Sequence, residues 1–282
     1  MKKTDLLQKY IDFYHKQLLD NNRILTMLKN KSIYENYIFV TFSLAYSNGS
    51  IEKLVSDDPS ATEKMNELGL LKNDRDIFAS HLLIPVLDEN KTIVNIAGFN
   101  LHPKSKTKLI FLNNAGVFNK SFLTNCEEII LTENPLETLI LLQNDYANTT
   151  FLIGDDNKYL DFCKSVKVKK AIFTFKNRAR LFYDLTKNGI STQRCLLDVD
   201  KIKNGNAKTY LEEIFSENKN QEKSSDIIAE IERGFLFQFP HLNYRIIGNF
   251  SEQTMNLKAN IKVYKDNEVH VDTLDLYKNR ER

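Results

Sequence analysis

The chain has 282 residues, of which 42% are hydrophobic and 27% are charged. This length and composition exclude a wholly disordered chain and predict a globular protein with more than one domain. The formal net charge is only +2, so overall charge does not by itself indicate a nucleic-acid partner. No apolar run is long enough for a membrane span or a signal-peptide core, so we expect a cytoplasmic protein without a membrane partner.

The spacing of the cysteines argues against a zinc module. Cys126, Cys163 and Cys195 are far apart, and the chain has no Cys-x-x-Cys pair. Structural zinc sites need four ligands, which usually come in closely spaced pairs. The sequence therefore predicts three reduced, partly buried thiols.

The first half of the chain mixes helices and strands. Apolar residues at helical spacing predict one long helix or two abutting helices within residues 4–29, and a further helix over 63–71 that ends at Gly69. The apolar residues of 38–46 are expected in the core, and residues 93–97 are expected to form a strand.

The second half alternates strands with helices. Predicted strands cover residues 129–131, 150–153, 171–175 and 192–196, and predicted helices cover 135–144, 157–165, 179–188 and 207–215. Such alternation predicts a mostly parallel sheet with right-handed crossovers. The expected fold class is α/β, or α+β for the chain as a whole.

The C-terminal part has a different pattern. Residues 216–225 form a polar linker and 226–237 look helical, whereas 244–250, 256–264 and 268–274 alternate apolar and polar residues as in a small antiparallel sheet. His270, within the third of these strands, is expected to pack on a strand face. We divide the chain into residues 1–126, 127–215, a linker and helix at 216–240, and a β-rich module at 241–282. The sequence pattern of this module is interrupted by the end of the chain at Arg282, so a fragment of a longer protein is one interpretation.

A carboxylate follows the first predicted strand of the parallel sheet. Glu133 lies at the carboxyl end of this strand, where α/β sheets hold ligands. The segment Glu133-Asn134-Pro135-Leu136-Glu137 resembles the first motif of the TOPRIM domain of bacterial primases and topoisomerases, Glu-Gly-(Tyr/Pro)-x-Asp. Further matches at 14–19, 76–90 and 111–121 make residues 10–211 similar to the catalytic core of bacterial DnaG-type DNA primases. The resemblance implies a primase-like N-terminal subdomain followed by a TOPRIM-like domain.

The metal motifs of this family are altered. Its second motif, Asp-x-Asp, corresponds to residues 173–178, which read Phe-Thr-Phe-Lys-Asn-Arg, and no acidic residue lies between Asp161 and Asp184. A Mg²⁺ site for phosphoryl transfer needs several oxygen ligands, which nearby cations oppose. The resemblance thus implies a primase-like core with an eroded metal site, in which Glu133 and Glu137 are catalytic remnants. No cofactor is expected.

Basic residues accumulate in two stretches, 90–126 and 164–180, that contain no acidic residue. Together with the resemblance, they favour a catalytically weak or inactive primase-like protein that binds single-stranded or primed DNA through its phosphates. Residues 269–278 resemble a segment of mobile-element proteins, so the expected role is in replication or mobile-element maintenance. The predicted DNA-binding residues are Lys104, Lys106, Lys108, Lys120, Lys176, Arg178 and Arg180.

Two other hypotheses stay open. In an active DNA primase or nucleotidyltransferase, Glu133 and Glu137 would hold Mg²⁺ with carboxylates from neighbouring loops, and the candidates are Asp155, Asp156, Asp198 and Asp200. For the Asp155-Asp156 pair, a turn that precedes a helix is the competing interpretation. In the third hypothesis the chain is a non-catalytic scaffold for a helicase or polymerase, contacted through its β-rich module. The oligomeric state is left open.

Overall fold

The computed structural model describes residues 3–55, 59–102, 105, 107–175, 178–198, 201–202, 207–217, 244–246, 258–265 and 268–275. The chain divides into two compact units, Met1–Gln221 and Glu222–Arg282. The predicted helix over 226–237 and most of the predicted linker lie outside the described residues. Within the described ranges, no helix has both the length and the apolar character that a membrane crossing requires.

The first unit begins with helices that pack on an antiparallel sheet. The helices are α1 (Lys3–Leu19), α2 (Asn22–Lys29), α3 (Asn36–Thr41), α4 (Glu52–Val55), α5 (Pro59–Glu67) and α6 (Lys120–Leu123). The strands are β1 (Ala45–Ser47), β2 (Leu71–Lys72), β3 (Arg75–Asp76), β4 (His81–Leu87), β5 (Ile93–Asn100) and β6 (Leu109–Phe111). Strands β1, β4, β5 and β6 form one sheet in that order, and β2 pairs with β3.

Local sequence explains how the N-terminal helices break. The Asn21 side chain accepts a hydrogen bond from the Ile24 N–H at 3.2 Å and so caps α2. Of the two alternatives predicted for residues 4–29, one long helix or two abutting helices, the structure has the second. In the β2–β3 hairpin, Asn73 and Asp74 both have positive φ, as a two-residue hairpin turn requires.

The second half of the unit is a four-stranded parallel sheet flanked by helices, as predicted. Its elements are β7 (Glu128–Thr132), α7 (Pro135–Gln143), β8 (Thr149–Phe151), α8 (Asp156–Ser165), β9 (Lys170–Phe173), α9 (Ala179–Lys187), β10 (Ser191–Arg194) and α10 (Ala207–Glu217). The strand order is β10-β9-β7-β8, and all neighbouring pairs are parallel. The predicted strand over 171–175 ends earlier, at Phe173, although the Thr174 N–H still donates to the Leu131 carbonyl of β7 at 3.0 Å.

The two sheets share one hydrophobic core. Leu82 of β4, Leu139 of α7 and Ile172 of β9 belong to the same buried cluster. Gln143 adds polar contacts between the halves, because its Nε2 donates to the Ser32 carbonyl at 2.5 Å and its Oε1 accepts from the Tyr34 N–H at 3.2 Å. The predicted boundary between residues 126 and 127 therefore separates two sheets that pack around a common interior.

The second unit contains a small antiparallel sheet. Its strands are β11 (Tyr244–Ile246), β12 (Lys258–Lys265) and β13 (Glu268–Asp275), in that order. The pairing of Lys265 with Glu268 closes a hairpin between β12 and β13. The predicted antiparallel module is confirmed, and His270 takes the register position opposite Val263.

Gly98 on β5 is needed for close packing. A Cβ atom at this position would lie 2.3 Å from Cδ1 of Phe78, which is fully buried. We expect Gly98→Ala to lower the free energy of unfolding by about 3 kcal/mol, because the core must shift to admit the methyl group. The control is Gly189→Ala, where φ is +80° but no atom lies within 4 Å of the added carbon. This control should cost about 1 kcal/mol through backbone strain alone. Equal losses in urea unfolding of the two variants would contradict the packing argument.

Candidate functional site

The parallel sheet reverses its strand order at β7. From β7 the chain passes to β8 on one side, and the next strand, β9, pairs on the other side of β7. At such a switch point the loops after neighbouring strands separate and leave a crevice at the carboxyl edge, which is where α/β sheets bind ligands. The loops that start α7, α8 and α9 meet at this edge.

The turn from β7 into α7 is fixed by side-chain hydrogen bonds. Asn134 caps α7 by accepting the Leu136 N–H at 2.9 Å, and Pro135 occupies the first turn, where no N–H is needed. The Thr132 hydroxyl lies 2.6 Å from that of Thr138. These contacts hold Glu133 at the edge of the sheet.

The turn before α8 settles the role of Asp155. Its carboxylate accepts the Asn157 N–H at 2.9 Å, so Asp155 is the N-cap of α8. The interpretation of the Asp155-Asp156 pair as a turn followed by a helix is confirmed. Asp156 is the first residue of α8, and its carboxylate contacts the guanidinium of Arg178.

Arg178 links the tips of three strands. It is the N-cap residue of α9 and has a left-handed backbone with φ of 63°. Its Nε lies 3.5 Å from Oε1 of Glu133, after β7. Its Nη1 contacts Oδ1 of Asp156 and donates to the Gly154 carbonyl at 3.2 Å, both after β8. One guanidinium therefore faces two carboxylates and a carbonyl at the switch point.

Glu137 lies deeper in the same region. The pKa of its carboxyl is raised to about 7, mainly by burial; a hydrogen bond from the Thr174 hydroxyl lowers it, and the nearby Glu133 raises it. The Thr174 Oγ1 donates to Oε2 of Glu137 at 3.1 Å. Glu137 therefore exchanges its proton near neutral pH, in contact with the loop after β9.

Solved structures share this architecture. No family model and no curated protein sequence matches the chain. A primase from Aquifex aeolicus, with zinc-binding and RNA polymerase domains, matches at 17% identity and a TM-score of 0.67, over 85% of this chain and 69% of that one. The fold is that of a DnaG-type primase core. The match confirms the fold that the sequence resemblance implies.

Two further primase structures agree. A DNA primase domain from Pseudomonas aeruginosa is 18% identical, with a TM-score of 0.60 over 71% of this chain and 74% of that chain. A DnaG primase catalytic domain solved with single-stranded DNA is 12% identical, with a TM-score of 0.63 over 76% and 78% of the two chains. At these identities the likeness concerns the fold of the primase-like core, so the chemistry has to be judged from its own residues.

With Arg178 among them, the oxygen donors at this edge of the primase-like core do not fit a Mg²⁺ ion. Magnesium needs near-octahedral oxygen ligation with carboxylates free to bind it. The carboxylates of Glu133 and Asp156 instead face the Arg178 guanidinium, and Glu137 accepts a hydrogen bond while buried. Among the residues whose side chains are described, no group of three or more His, Cys, Asp or Glu is arranged for a metal. Asp198 accepts the Lys201 N–H at 3.3 Å, and Asp200 lies outside the described residues.

The predicted DNA-binding residues have varied surroundings. Lys120 pairs with Glu89 at 2.8 Å, Arg180 pairs with Asp184 at 3.6 Å, and the Lys108 ammonium donates to the His102 carbonyl at 2.6 Å. Lys104, Lys106 and Lys176 lie outside the described residues. Basic stretches without acids in the sequence thus receive acids from other parts of the fold. Among the predicted DNA-binding residues that the structure describes, Arg178 contacts Glu133 and Asp156. The DNA-binding role of these residues stays a prediction.

Sequence reasoning missed Lys158, on the first turns of α8. Its Nζ donates to the Asn114 carbonyl at 2.8 Å, and burial lowers the pKa of its ammonium, while Asp155 raises it. A Cβ at Gly154 would lie 3.1 Å from the Asn114 side chain, so the loop after β6 packs closely on the tip of β8. Lys158 therefore joins the antiparallel half to the edge of the parallel sheet. A lysine beside two aspartates carries no sequence signal for such a contact.

Proposed function

We propose that this chain is a primase-like protein that binds single-stranded or primed DNA in replication or mobile-element maintenance, with weak or no nucleotidyl-transfer activity. The observation that carries the proposal is the position of Arg178 between Glu133 and Asp156, at the switch point of a primase-like parallel sheet. A cation in this place occupies both carboxylates and opposes the divalent ions that phosphoryl transfer requires. The fold itself supports a function related to DNA priming.

Surface cations would supply the affinity for DNA. The Arg180 side chain is 80% exposed and the Glu89 partner of Lys120 is 71% exposed, whereas Asp184 (26%) and Lys120 (34%) are half-buried, so each ion pair is open to solvent on one side. Exposed ion pairs contribute little to stability and exchange readily for other anions. Lys120 and Arg180 can therefore turn from their carboxylates to DNA phosphates at small cost. The primase catalytic domain solved with single-stranded DNA supports the choice of ligand.

Binding to single-stranded DNA should weaken steeply with salt. We expect the affinity for a labelled oligonucleotide to fall by about 10- to 100-fold between about 50 and 200 mM salt, because bound phosphates release counterions. In fluorescence anisotropy titrations, the double variant Lys120→Ala/Arg180→Ala should reduce the slope of log affinity against log salt by about 1 to 2. The matched control is Lys9→Ala, an exposed lysine on α1. An affinity that does not change with salt would refute DNA binding by this mechanism.

Primer synthesis separates the proposal from an active primase. With template, nucleoside triphosphates and Mg²⁺ or Mn²⁺, the wild-type chain should give no more product than Glu133→Gln. Product that is made by the wild-type chain and lost in Glu133→Gln would instead favour the active enzyme, because a carboxylate at Glu133 would then be needed for the chemistry.

A further inference from the structure

The electrostatics around Arg178 are unusual for a helix start. The amino ends of α7, α8 and α9 meet at this edge, and each carries a partial positive charge that disfavours cations. An arginine at the N-cap of α9 therefore needs negative partners. Glu133 and Asp156 supply them, and both come from outside α9.

The ligands around the guanidinium are those that a divalent ion would use. Arg178 faces a carboxylate oxygen of Glu133, a carboxylate oxygen of Asp156 and the carbonyl oxygen of Gly154. Hard divalent cations bind oxygens of these two kinds. The Arg178 side chain is only 30% exposed, so its charge lies among these oxygens and not in bulk water.

We propose that Arg178 is a resident cation that takes the place of a divalent ion at this edge. Its guanidinium contacts both Glu133 and Asp156 and offsets one of their two negative charges, so the loops after β7, β8 and β9 are held together without metal. This inference rests on the proposed function, which takes this edge of the sheet as the former metal site of a primase-like core. It adds that Glu133 and Asp156 are still placed to bind a divalent ion and that the Arg178 side chain prevents this.

The backbone of Arg178 indicates the best variant. Its φ of 63° is a conformation that glycine adopts without strain and that asparagine tolerates. Arg178→Gly should therefore remove the guanidinium while it keeps the start of α9 in place. Arg178→Lys is the matched control, because it keeps a positive charge at the same position.

The test measures Mn²⁺ binding to the full chain without DNA. Electron paramagnetic resonance and Mn²⁺-dependent shifts in Tm report a site directly, because an ion that binds the folded chain stabilises it. We expect one Mn²⁺ per chain in Arg178→Gly, at least about tenfold tighter than in the wild type or in Arg178→Lys, and lost again in Arg178→Gly/Glu133→Gln. If circular dichroism shows that Arg178→Gly is not folded, Arg178→Asn takes its place.

Two results would overturn the inference. A folded Arg178→Gly or Arg178→Asn variant that gains no site would show that the carboxylates are not placed for an ion. Equal Mn²⁺ affinity in the wild type would show that Arg178 does not exclude one. Because the measurement contains no DNA, its failure is distinct from a failure of DNA binding, which the salt titration reports.

Discussion

Replacing Asp76 with alanine is expected to lower the free energy of unfolding by about 3–5 kcal/mol, because four donors lose their acceptor in the core. Asp76 is 6% exposed. Its Oδ1 accepts the Tyr10 hydroxyl and the Phe78 N–H, both at 2.8 Å. Its Oδ2 accepts the Tyr14 hydroxyl at 2.8 Å and the Ser47 hydroxyl at 2.6 Å. The network fastens α1 to β1 and β3, so its loss should loosen the antiparallel half as a whole.

Urea unfolding followed by circular dichroism measures the loss. Asp20→Ala is the matched control, because Asp20 is exposed and its removal should change stability by less than about 0.5 kcal/mol. Tyr14→Phe should have a smaller effect than Asp76→Ala, since it removes one hydrogen bond and leaves the other donors satisfied. A loss below about 1 kcal/mol for Asp76→Ala would contradict the proposed role of the network.

Glu137→Gln is expected to stabilise the fold at neutral and alkaline pH by about 1–3 kcal/mol, and to change little below pH 4.5. The folded chain holds the Glu137 proton up to a pKa of about 7, whereas the ordinary pKa of a glutamate carboxyl is 4.5. Between these values the unfolded chain releases the proton first, so wild-type stability falls as the pH rises. A neutral amide removes this loss, and its oxygen can still accept the Thr174 hydroxyl.

The measurement is the free energy of unfolding of both proteins from pH 4 to pH 8. The gain in Glu137→Gln should appear between about pH 4.5 and 7 and stay constant above that range. Glu63→Gln, which removes an exposed carboxylate from α5, is the matched control. If the gain in the free energy of unfolding of Glu137→Gln did not depend on pH, the pKa of the Glu137 carboxyl would not be raised in the folded chain.

The architecture of the parallel sheet could be predicted because its information is local. The alternation of apolar strands with helices indicates each element from neighbouring residues. The structure adds the N-caps Asn134 and Asp155. Errors in this half are confined to the ends of helices and strands, as at Thr174, which follows the last residue of β9. The position of Glu133 at the carboxyl edge follows from the same local pattern.

The contacts of the site could not be predicted in the same way. The sequence indicated cations in the loop after β9. It could not show that Arg178 pairs with Asp156, which lies 22 positions earlier, or that Lys120 of α6 pairs with Glu89 in the loop between β4 and β5. Stretches that contain no acid in sequence are therefore partly neutralised in space. Asp76 was visible as one residue of a motif, while its partners Tyr10 and Tyr14 lie more than 60 positions away.

The sequence by itself determined which chemical groups follow the strands of the parallel sheet: a glutamate after β7, and lysine and arginine in place of acids after β9. Only the tertiary structure decided what those groups do there. It placed the Arg178 guanidinium between Glu133 and Asp156 and buried Glu137 against Thr174. The physical reason is that periodicity acts through neighbouring residues, whereas charge neutralisation and desolvation depend on distances between side chains that are remote in the chain.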